Sequence, residues 1–242
     1  MSDVQINYSA IIPAFNEVES LGEVIDRADE VLKFRHDLEI IIIDNGSTDA
    51  TKLILEQRIV DSKSNRLRFF RKEINTGYGA GLKLGFQKAK APILIWTHSD
   101  LQCDLRDIAR AIDIYELQPS NSRLIVKGAR VERPFLDRMF SSSLSLTNRI
   151  INNVILEDVN SQPNLIHRNL VSNLNSLPDN STFELQLLTR AIHSKYSIHR
   201  FDVSFPHRKF GVGFNQGLVR KISFSLQCFV DIIMFRFRRA DN

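Results

Sequence analysis

The stretch LEIIIIDNGSTD, residues 38–49, joins an apolar run to a polar turn. The apolar part, 38–43, is rich in isoleucine and does not alternate with polar residues, which is typical of a strand covered on both faces. Ser47 or Asp49 can then cap a helix that runs to about Ile59. A buried strand that leads directly into a helix predicts an α/β fold with a parallel sheet.

The same alternation continues on both sides of this stretch. Apolar runs predict further strands at 8–12, 67–70, 92–96 and 124–126, and helical periodicity predicts further helices at 20–32, 79–89 and 105–117. This β-α alternation favours a doubly wound, mostly parallel sheet flanked by helices. Ligands of such sheets bind beyond the carboxyl ends of the strands.

The remainder of the chain is less regular. It predicts helices within 130–157 and at 183–193, a strand at 197–205 and a final helix at 219–237. We expect one domain over 1–217, divided into 1–130 and 131–217. A basic amphipathic helix at 218–242 follows it.

Composition bounds the class of protein. The chain has 242 residues, of which 43% are hydrophobic and 25% charged, as in an ordinary globular protein with an adequate core. Its net charge of +4 is too small to favour a nucleic-acid partner. Cys103 and Cys228 lie far apart, which fits a reducing compartment rather than a disulfide framework. Residues 1–10 lack the blocks of a signal peptide, so we expect a cytoplasmic location.

The final helix combines apolar periodicity with positive charge. Apolar residues recur every three or four positions at Ile222, Leu226, Phe229, Ile233 and Phe237. The segment 218–242 contains five basic residues and two acidic ones. Three alternatives follow. Residues 218–239 can lie on an anionic membrane, at the inner face of the cytoplasmic membrane, or the helix can pack on its own domain or on a second subunit of a homodimer.

Three predicted strands end in polar or acidic sequences: PAFNE at 13–17, DNGSTD at 44–49 and HSDLQCD at 98–104. Because the carboxyl ends of parallel strands meet at one edge, these sequences should face one crevice. Asp44 can accept hydrogen bonds from a base or a ribose there. Alternatively, it only builds a turn before the next helix.

Asp100 and Gln102 supply oxygen ligands beside a strand end, which suits Mg²⁺ or Mn²⁺ when substrate phosphates complete the shell. His98 can add an imidazole, or it is a hydrogen-bonded structural group. Asp104 is expected to cap the helix that starts at Leu105.

Two glycine-containing loops have weaker signals. NTGYGAGLKLG at 75–85 resembles a dinucleotide fingerprint, but it follows the third strand rather than the first, so we interpret its glycines as a tight turn with close helix packing. PHRKFGVG at 206–213 can close its cations over a pyrophosphate, or it is a solvated surface loop.

Taken in order, IIPAFNE, EIIIIDNGSTDAT, NTGYGAGLKLGFQKA, SDLQ, VKGAR and FELQLLTRA…FPHRKFG resemble the family 2 glycosyltransferases of the GT-A fold. The similarity spans residues 8–213 and is greatest to the branch of polyprenyl-phosphate sugar synthases. It implies that 1–217 is a single GT-A catalytic domain, with a nucleotide-binding half at 1–130 and an acceptor-side half at 131–217. The resemblance implies an inverting, metal-dependent transfer from a UDP- or GDP-linked sugar to a lipid-linked phosphate or a surface glycan.

The resemblance also implies roles for individual residues. The nucleotide sugar would be bound by Pro13, Ala14, Glu17, Asp44, Ser99, Asp100, Gln102, Arg130 and Arg208. Mg²⁺ or Mn²⁺ would be held by Asp100, Gln102 and His98, and catalytic roles would fall to Asp100, Glu184 and Arg208. A phosphate acceptor needs little help from a base, whereas a hydroxyl acceptor would need a carboxylate such as Glu184 or Asp158.

The chain departs from the family pattern at His98, where an acidic residue is usual, and at Gly213 and Phe214, where the polyprenyl branch has Ser-Lys. Two alternative functions therefore stay open. One is a nucleotidyltransferase of similar fold, and the other is a catalytically silent protein that binds nucleotide sugars.

Overall fold

The computed structural model describes residues 5–62, 64–118, 123–131, 145–206, 208, 210 and 218–240. Seven strands form one sheet: β1 Tyr8–Ala14, β2 Leu38–Asp44, β3 Leu67–Arg71, β4 Ile93–Trp96, β5 Leu124–Arg130, β6 Asn164–His167 and β7 Ser197–Val203. The helices are α1 Leu21–Phe34, α2 Thr51–Asp61, α3 Tyr78–Lys88, α4 Arg106–Glu116, α5 at 145–152, α6 Phe183–His193 and α7 Leu218–Ala240.

The strand order is β3-β2-β1-β4-β6-β5-β7, and every neighbouring pair is parallel except the two that involve β6. Ala14 pairs with Asp44, so β1 and β2 end level with each other. The ends of β1, β2, β4, β5 and β7 therefore lie along one side of the sheet, which we call the carboxyl edge. The predicted mostly parallel α/β fold with flanking helices is confirmed.

Strand β6, which runs antiparallel between β4 and β5, was not predicted from the sequence pattern. Trp96 pairs with Asn164 and Ile93 with His167 in this strand. With only four residues, NLIH, between Pro163 and Arg168, the segment is too short to show a periodic pattern. Its insertion means that β5, the fifth strand along the chain, does not lie next to β4.

Helices cover both faces of the sheet. Ile40 and Ile42 of β2 point into one core with α1, α2 and α4, whereas Ile41 and Ile43 point into a second core with α3 and α6. All four isoleucines are fully buried. The continuous apolar run of β2 is thus explained by burial on both faces.

The glycines around α3 allow close packing, as predicted. Gly77 has a φ of 119°, and a Cβ there would overlap the carbonyl oxygen of Asp179. A Cβ on Gly85 would overlap the side chain of Ile11. These positions therefore need glycine for the turn before α3 and for the contact between α3 and β1.

Helix α7 has two apolar faces. Cys228, Ile232 and Phe235 are buried against the domain. Asp231 accepts hydrogen bonds from Asn180 Nδ2 at 3.0 Å and Thr182 Oγ1 at 2.8 Å, which fixes the helix to the start of α6. The other face exposes Ile222, Leu226, Phe229, Val230 and Met234. Within the described ranges, no helix is both long and apolar enough to cross a membrane.

Candidate active site

The loops that follow β1 and β2 are joined by hydrogen bonds at the carboxyl edge. The Asn16 backbone N–H donates to Ser47 Oγ at 3.0 Å, and the Glu17 N–H donates to Thr51 Oγ1 at 3.0 Å. The Ser47 hydroxyl therefore accepts a hydrogen bond from the loop after β1 rather than capping α2. Asp49 precedes the N-cap residue Ala50, and its Oδ1 accepts the Thr51 N–H at 2.9 Å in the turn before α2.

Asp44 lies at the end of β2 and is completely buried. One carboxylate oxygen accepts the Ser47 N–H at 2.9 Å, and the other forms an ion pair with Arg71. Arg71 also donates to the Ser47 carbonyl oxygen at 3.1 Å. In this structure Asp44 builds the turn after β2, and its contact with a nucleotide stays a prediction.

The loop after β4 is fixed to β1. The Ser99 hydroxyl is buried and donates to the Pro13 carbonyl oxygen at 3.1 Å, and the Thr97 N–H donates to the Ile11 carbonyl at 3.1 Å. Pro13, Ala14 and Ser99 are thereby brought together on adjacent strand ends, as the sequence predicted for one crevice.

The predicted metal ligands lie in this same loop. Asp100 and His98 are both half-buried, and Asp100 Oδ1 accepts the Gln102 N–H at 3.1 Å across Leu101, which has a φ of 61°. Gln102 Nε2 donates to the Pro206 carbonyl oxygen at 3.0 Å. Asp104 Oδ1 accepts the Arg106 N–H at 2.9 Å at the start of α4.

A divalent cation fits this donor set only together with a substrate. Among the residues that the structure describes, no group of three or more His, Cys, Asp and Glu side chains is arranged to hold a metal. Asp100 supplies a single carboxylate, and His98 lies on the same loop two residues earlier. Mg²⁺ and Mn²⁺ accept such a partial shell when diphosphate oxygens and water supply the remaining ligands.

Arg130 ends β5 and is clasped by Asp158. Its Nε lies 3.0 Å from Asp158 Oδ1, its Nη2 also pairs with that carboxylate, and its backbone N–H donates to Oδ2 at 3.1 Å. The guanidinium lies 4.9 Å from the centre of the Phe205 ring. A forked pair with an aromatic platform fixes the orientation of the arginine at the carboxyl edge.

Arg208 pairs with Glu17, and both side chains are largely buried, with 17% and 13% of their surface exposed. The second oxygen of Glu17 accepts the Ser20 hydroxyl at 2.8 Å. The chain after β7 therefore reaches back to the loop after β1. Arg208 and Glu17 are brought together, on the side of the edge where Gln102 contacts Pro206.

Glu184 is enclosed by hydrogen-bond donors from three other segments of the chain. It is 1% exposed at the start of α6, and its Oε1 accepts hydrogen bonds from Trp96 Nε1 at 2.6 Å, Tyr78 Oη at 3.0 Å and Gln162 Nε2 at 2.5 Å. A catalytic base must reach the proton that it removes. In this structure Glu184 is enclosed by these three donors, and its catalytic role stays a prediction.

Sequence reasoning missed the buried polar groups that surround Glu184. Gln162 Oε1 accepts from Asn164 Nδ2 at 2.8 Å, and Asn164 Oδ1 accepts from Lys127 Nζ at 2.7 Å. Lys127 also donates to the carbonyl oxygens of Val159 and Ser161 at 2.8 and 2.6 Å. The lysine within the otherwise apolar start of the strand LIVKGAR could have indicated a buried polar network.

Burial shifts the protonation equilibria of this network. Desolvation lowers the pKa of Lys127 from 10.5 to about 7, although the charge of Glu184 opposes that shift. Desolvation, followed by the charge of Glu184, raises the pKa of Tyr78 well above its ordinary value, so this hydroxyl stays a hydrogen-bond donor.

A mostly parallel sheet with its polar loops gathered at the carboxyl edge defines a GT-A type nucleotide-diphospho-sugar transferase fold. Residues 9–162 match the family model described as glycosyl transferase family 2. The chain belongs to this family.

Among relatives, the chain is 36% identical over 109 residues to undecaprenyl-phosphate 4-deoxy-4-formamido-L-arabinose transferase of Pseudomonas fluorescens (strain Pf0-1), which is 43% of this chain and 31% of that protein. It is 31% identical over 112 residues to dodecaprenyl-phosphate galacturonate synthase of Rhizobium johnstonii, which is 46% and 33% of the two chains. It is 32% identical over 131 residues to dolichyl-phosphate beta-glucosyltransferase of Dictyostelium discoideum, and this match covers 52% of this chain and 40% of that protein. The matched parts are thus a minority of each relative's length.

Solved structures share the fold at low sequence identity. Glucosyl-3-phosphoglycerate synthase from Mycobacterium tuberculosis, in complex with Mn²⁺, uridine diphosphate and glucosyl-3-phosphoglycerate, is 17% identical with a TM-score of 0.70. The same enzyme in complex with uridine diphosphate is 19% identical with a TM-score of 0.72. Each similarity covers 96% of this chain and 80% of that one.

Proposed function

We propose that this chain transfers a sugar, with inversion, from a nucleoside diphosphate sugar to a polyprenyl phosphate. The observation that carries the proposal is that the two carboxylates considered as a base, Asp158 and Glu184, are already engaged by other groups. Asp158 is paired with Arg130, and Glu184 is 1% exposed and accepts hydrogen bonds from three side chains. An acceptor that is already an anion, such as a phosphate monoester, does not need a base to remove a proton.

The leaving group of this reaction is a nucleoside diphosphate, which gains negative charge as the sugar bond breaks. Arg130 and Arg208 are the cations that can stabilise that charge at the carboxyl edge. Asp100, with His98 and Gln102 beside it, would hold Mg²⁺ or Mn²⁺, which supplies further positive charge to the diphosphate when it is bound. Glu17 and Asp158 keep the two guanidinium groups in place until a substrate arrives.

The relatives support the choice of acceptor. Their names specify undecaprenyl, dodecaprenyl and dolichyl phosphates, which share a phosphate on a long polyprenyl chain. The matched stretches cover about a third to two fifths of those proteins, and we propose the same class of acceptor for this chain. The Mn²⁺ and uridine diphosphate in the solved structures support the metal and a UDP-linked donor in the same way.

A transfer assay with two acceptors tests the proposal. UDP- and GDP-linked sugars are each supplied with undecaprenyl phosphate or with undecaprenol, in the presence of Mn²⁺ or of EDTA. We expect transfer to the phosphate only, with inversion at the sugar carbon, and loss of transfer in EDTA. Transfer to the alcohol would overturn it.

Two other results would assign another function. Release of pyrophosphate from a nucleoside triphosphate would indicate a nucleotidyltransferase. Binding of a nucleotide sugar without any turnover would indicate a catalytically silent binding protein.

We further propose that the exposed face of α7 lies on an anionic membrane, where a polyprenyl acceptor resides. Ile222, Leu226, Phe229, Val230 and Met234 form this face, while the opposite face is already packed on the domain. Exposed Arg236 and the other basic residues of the segment 218–242 complement anionic lipid headgroups. This placement corresponds to the inner face of the cytoplasmic membrane.

A further inference from the structure

A continuous chain of buried hydrogen bonds runs through the centre of the molecule. It begins at Lys127 in β5, passes through Asn164 in β6 and Gln162, and ends at Glu184 in α6. All four side chains are 1% exposed or less. Such a network is costly to bury unless its members have partners, because unpaired polar groups lose their hydration.

Glu184 receives an unusual share of these bonds. Three donors converge on its Oε1, whereas its Oε2 has no hydrogen-bond partner among the described residues. A buried carboxylate contributes little net stability compared with a well-packed apolar side chain of similar volume. Because all three of the described hydrogen bonds go to Oε1 and none of them to Oε2, Glu184 is better suited to orienting its three donors than to stabilising the fold.

Two of those donors border the loop that carries His98. Trp96 is the last residue of β4, two positions before His98, and packs edge-on against Phe86 with 5.5 Å between ring centres. Tyr78 opens α3, and its ring centre lies 5.8 Å from that of His98, with the rings tilted by 48°. Glu184 thus holds both the strand end before His98 and the ring beside it.

We propose that Glu184 and Tyr78 are positioning residues: Glu184 fixes the Tyr78 ring, and that ring fixes the His98 imidazole beside Asp100. The proposal rests on the proposed function, because His98 then lies where the donor diphosphate binds. It assigns to Glu184 an effect on the reaction without contact with substrate.

A double-mutant cycle tests the coupling. Tyr78→Phe removes the hydroxyl but keeps the ring, and we expect it to lower kcat/KM for the nucleotide sugar roughly 5- to 10-fold through loss of one buried hydrogen bond. In a His98→Ala background the same change should have no further effect, because nothing is left to position. Equal losses in both backgrounds would overturn the proposal.

Ser9→Ala is the matched control. The Ser9 hydroxyl is also buried and donates to Glu39 at 2.6 Å, but it lies at the start of β1, away from the carboxyl edge. We expect a loss of stability of similar size with kcat/KM unchanged. A fall in kcat/KM equal to that of Tyr78→Phe would mean that general destabilisation explains both variants, and would overturn the proposal.

A second measurement does not depend on activity. In the NMR spectrum of the imidazole groups, His98→Ala assigns one resonance of the six histidines. That resonance should shift in Tyr78→Phe and in Glu184→Gln, and should stay in place in Ser9→Ala. An unchanged His98 resonance in Tyr78→Phe would overturn the positioning role even if Glu184→Gln fails to fold. If the wild-type protein shows no transfer at all, the proposed function fails while this measurement still decides the positioning.

Discussion

Arg208 forms an ion pair with Glu17, which lies 191 positions earlier in the chain, across the carboxyl edge of the sheet. Both groups are largely shielded from water, and Ser20 holds the other oxygen of Glu17. A diphosphate presents oxygens of the same charge as this carboxylate. Under the proposed function, the two would therefore compete for one guanidinium group.

Removal of the competing charge should favour the nucleotide. We expect Glu17→Gln to tighten the binding of UDP or GDP with Mn²⁺, by roughly 3- to 10-fold, because Arg208 no longer has to leave a carboxylate. Calorimetry measures this change, and Glu19→Gln, an exposed neighbour, serves as the control. Weaker binding in Glu17→Gln would contradict this competition and show instead that Glu17 contacts the nucleotide or positions Arg208 for it.

Asp100 is the only carboxylate among the three predicted metal ligands, and its removal should affect metal binding specifically. We expect Asp100→Ala to abolish the Mn²⁺-dependent part of nucleotide binding while the fold is kept. Asp104→Ala removes the acceptor for the Arg106 N–H and should cost about 1 kcal/mol of stability without affecting the metal. Mn²⁺-dependent binding that survives in Asp100→Ala would contradict the assignment.

Gly128 in β5 should be intolerant of any side chain. A Cβ at this position would overlap the carbonyl oxygen of Gln162 and crowd Val203, so we expect Gly128→Ala to cost about 1–3 kcal/mol. Gly22 in α1 has no heavy atom near the corresponding position, and Gly22→Ala should instead stabilise the protein by about 0.5–1 kcal/mol. Urea unfolding of the two variants checks the opposite signs.

Lys127 should make the stability of the protein depend on pH. Burial lowers the pKa of Lys127 from 10.5 to about 7, so between these pH values the unfolded chain binds a proton that the folded protein lacks. The contribution of Lys127 to the free energy of unfolding therefore rises with pH across this range and is least favourable below pH 7.

The measurement compares wild type with Lys127→Met by urea unfolding between pH 7 and 9. We expect the free energy of unfolding of the wild type, relative to the variant, to increase by up to about 1 kcal/mol per pH unit. A difference that stays constant with pH would mean that Lys127 keeps its proton throughout.

The exposed face of α7 should decide membrane binding. We expect the double variant Leu226→Glu, Phe229→Glu to lose its binding to vesicles that contain phosphatidylglycerol, because two charges replace apolar contacts and repel anionic headgroups. Val60→Glu, at an exposed apolar position of α2, should bind as the wild type does. Sedimentation with vesicles measures both. Unchanged vesicle binding, together with dissociation of a dimer, would assign this face to a second subunit.

The parts of the fold that follow from local pattern were predictable. The run 38–43 predicted a strand buried on both faces, and the order of strands and helices predicted the parallel sheet. Strand β6 was not predicted because four residues show no periodicity and because its position depends on pairing with strands distant in the sequence. Register and strand order are decided by packing across the whole sheet, which a single stretch of sequence does not encode.

The candidate site was predictable to a similar degree. Polar residues after the apolar runs identified the loops that meet at the carboxyl edge, but not which groups pair there. Arg130 with Asp158 and Arg208 with Glu17 are contacts between distant segments. The resemblance implied a catalytic role for Glu184, but its sequence context did not indicate that donors from three other segments would enclose it. The division of the chain into halves and the ligand roles of the single residues stay predictions.

The enclosure of Glu184 has a consequence for protein engineering. Its donors Tyr78 and Trp96 come from the first 130 residues, whereas Glu184 and Gln162 come from the remainder. A chimera that takes its acceptor part from another family member would have to preserve this four-residue junction. Otherwise the buried donors of Tyr78 and Trp96 would be left without their acceptor, and the chimera would lose stability at the junction of its two parts.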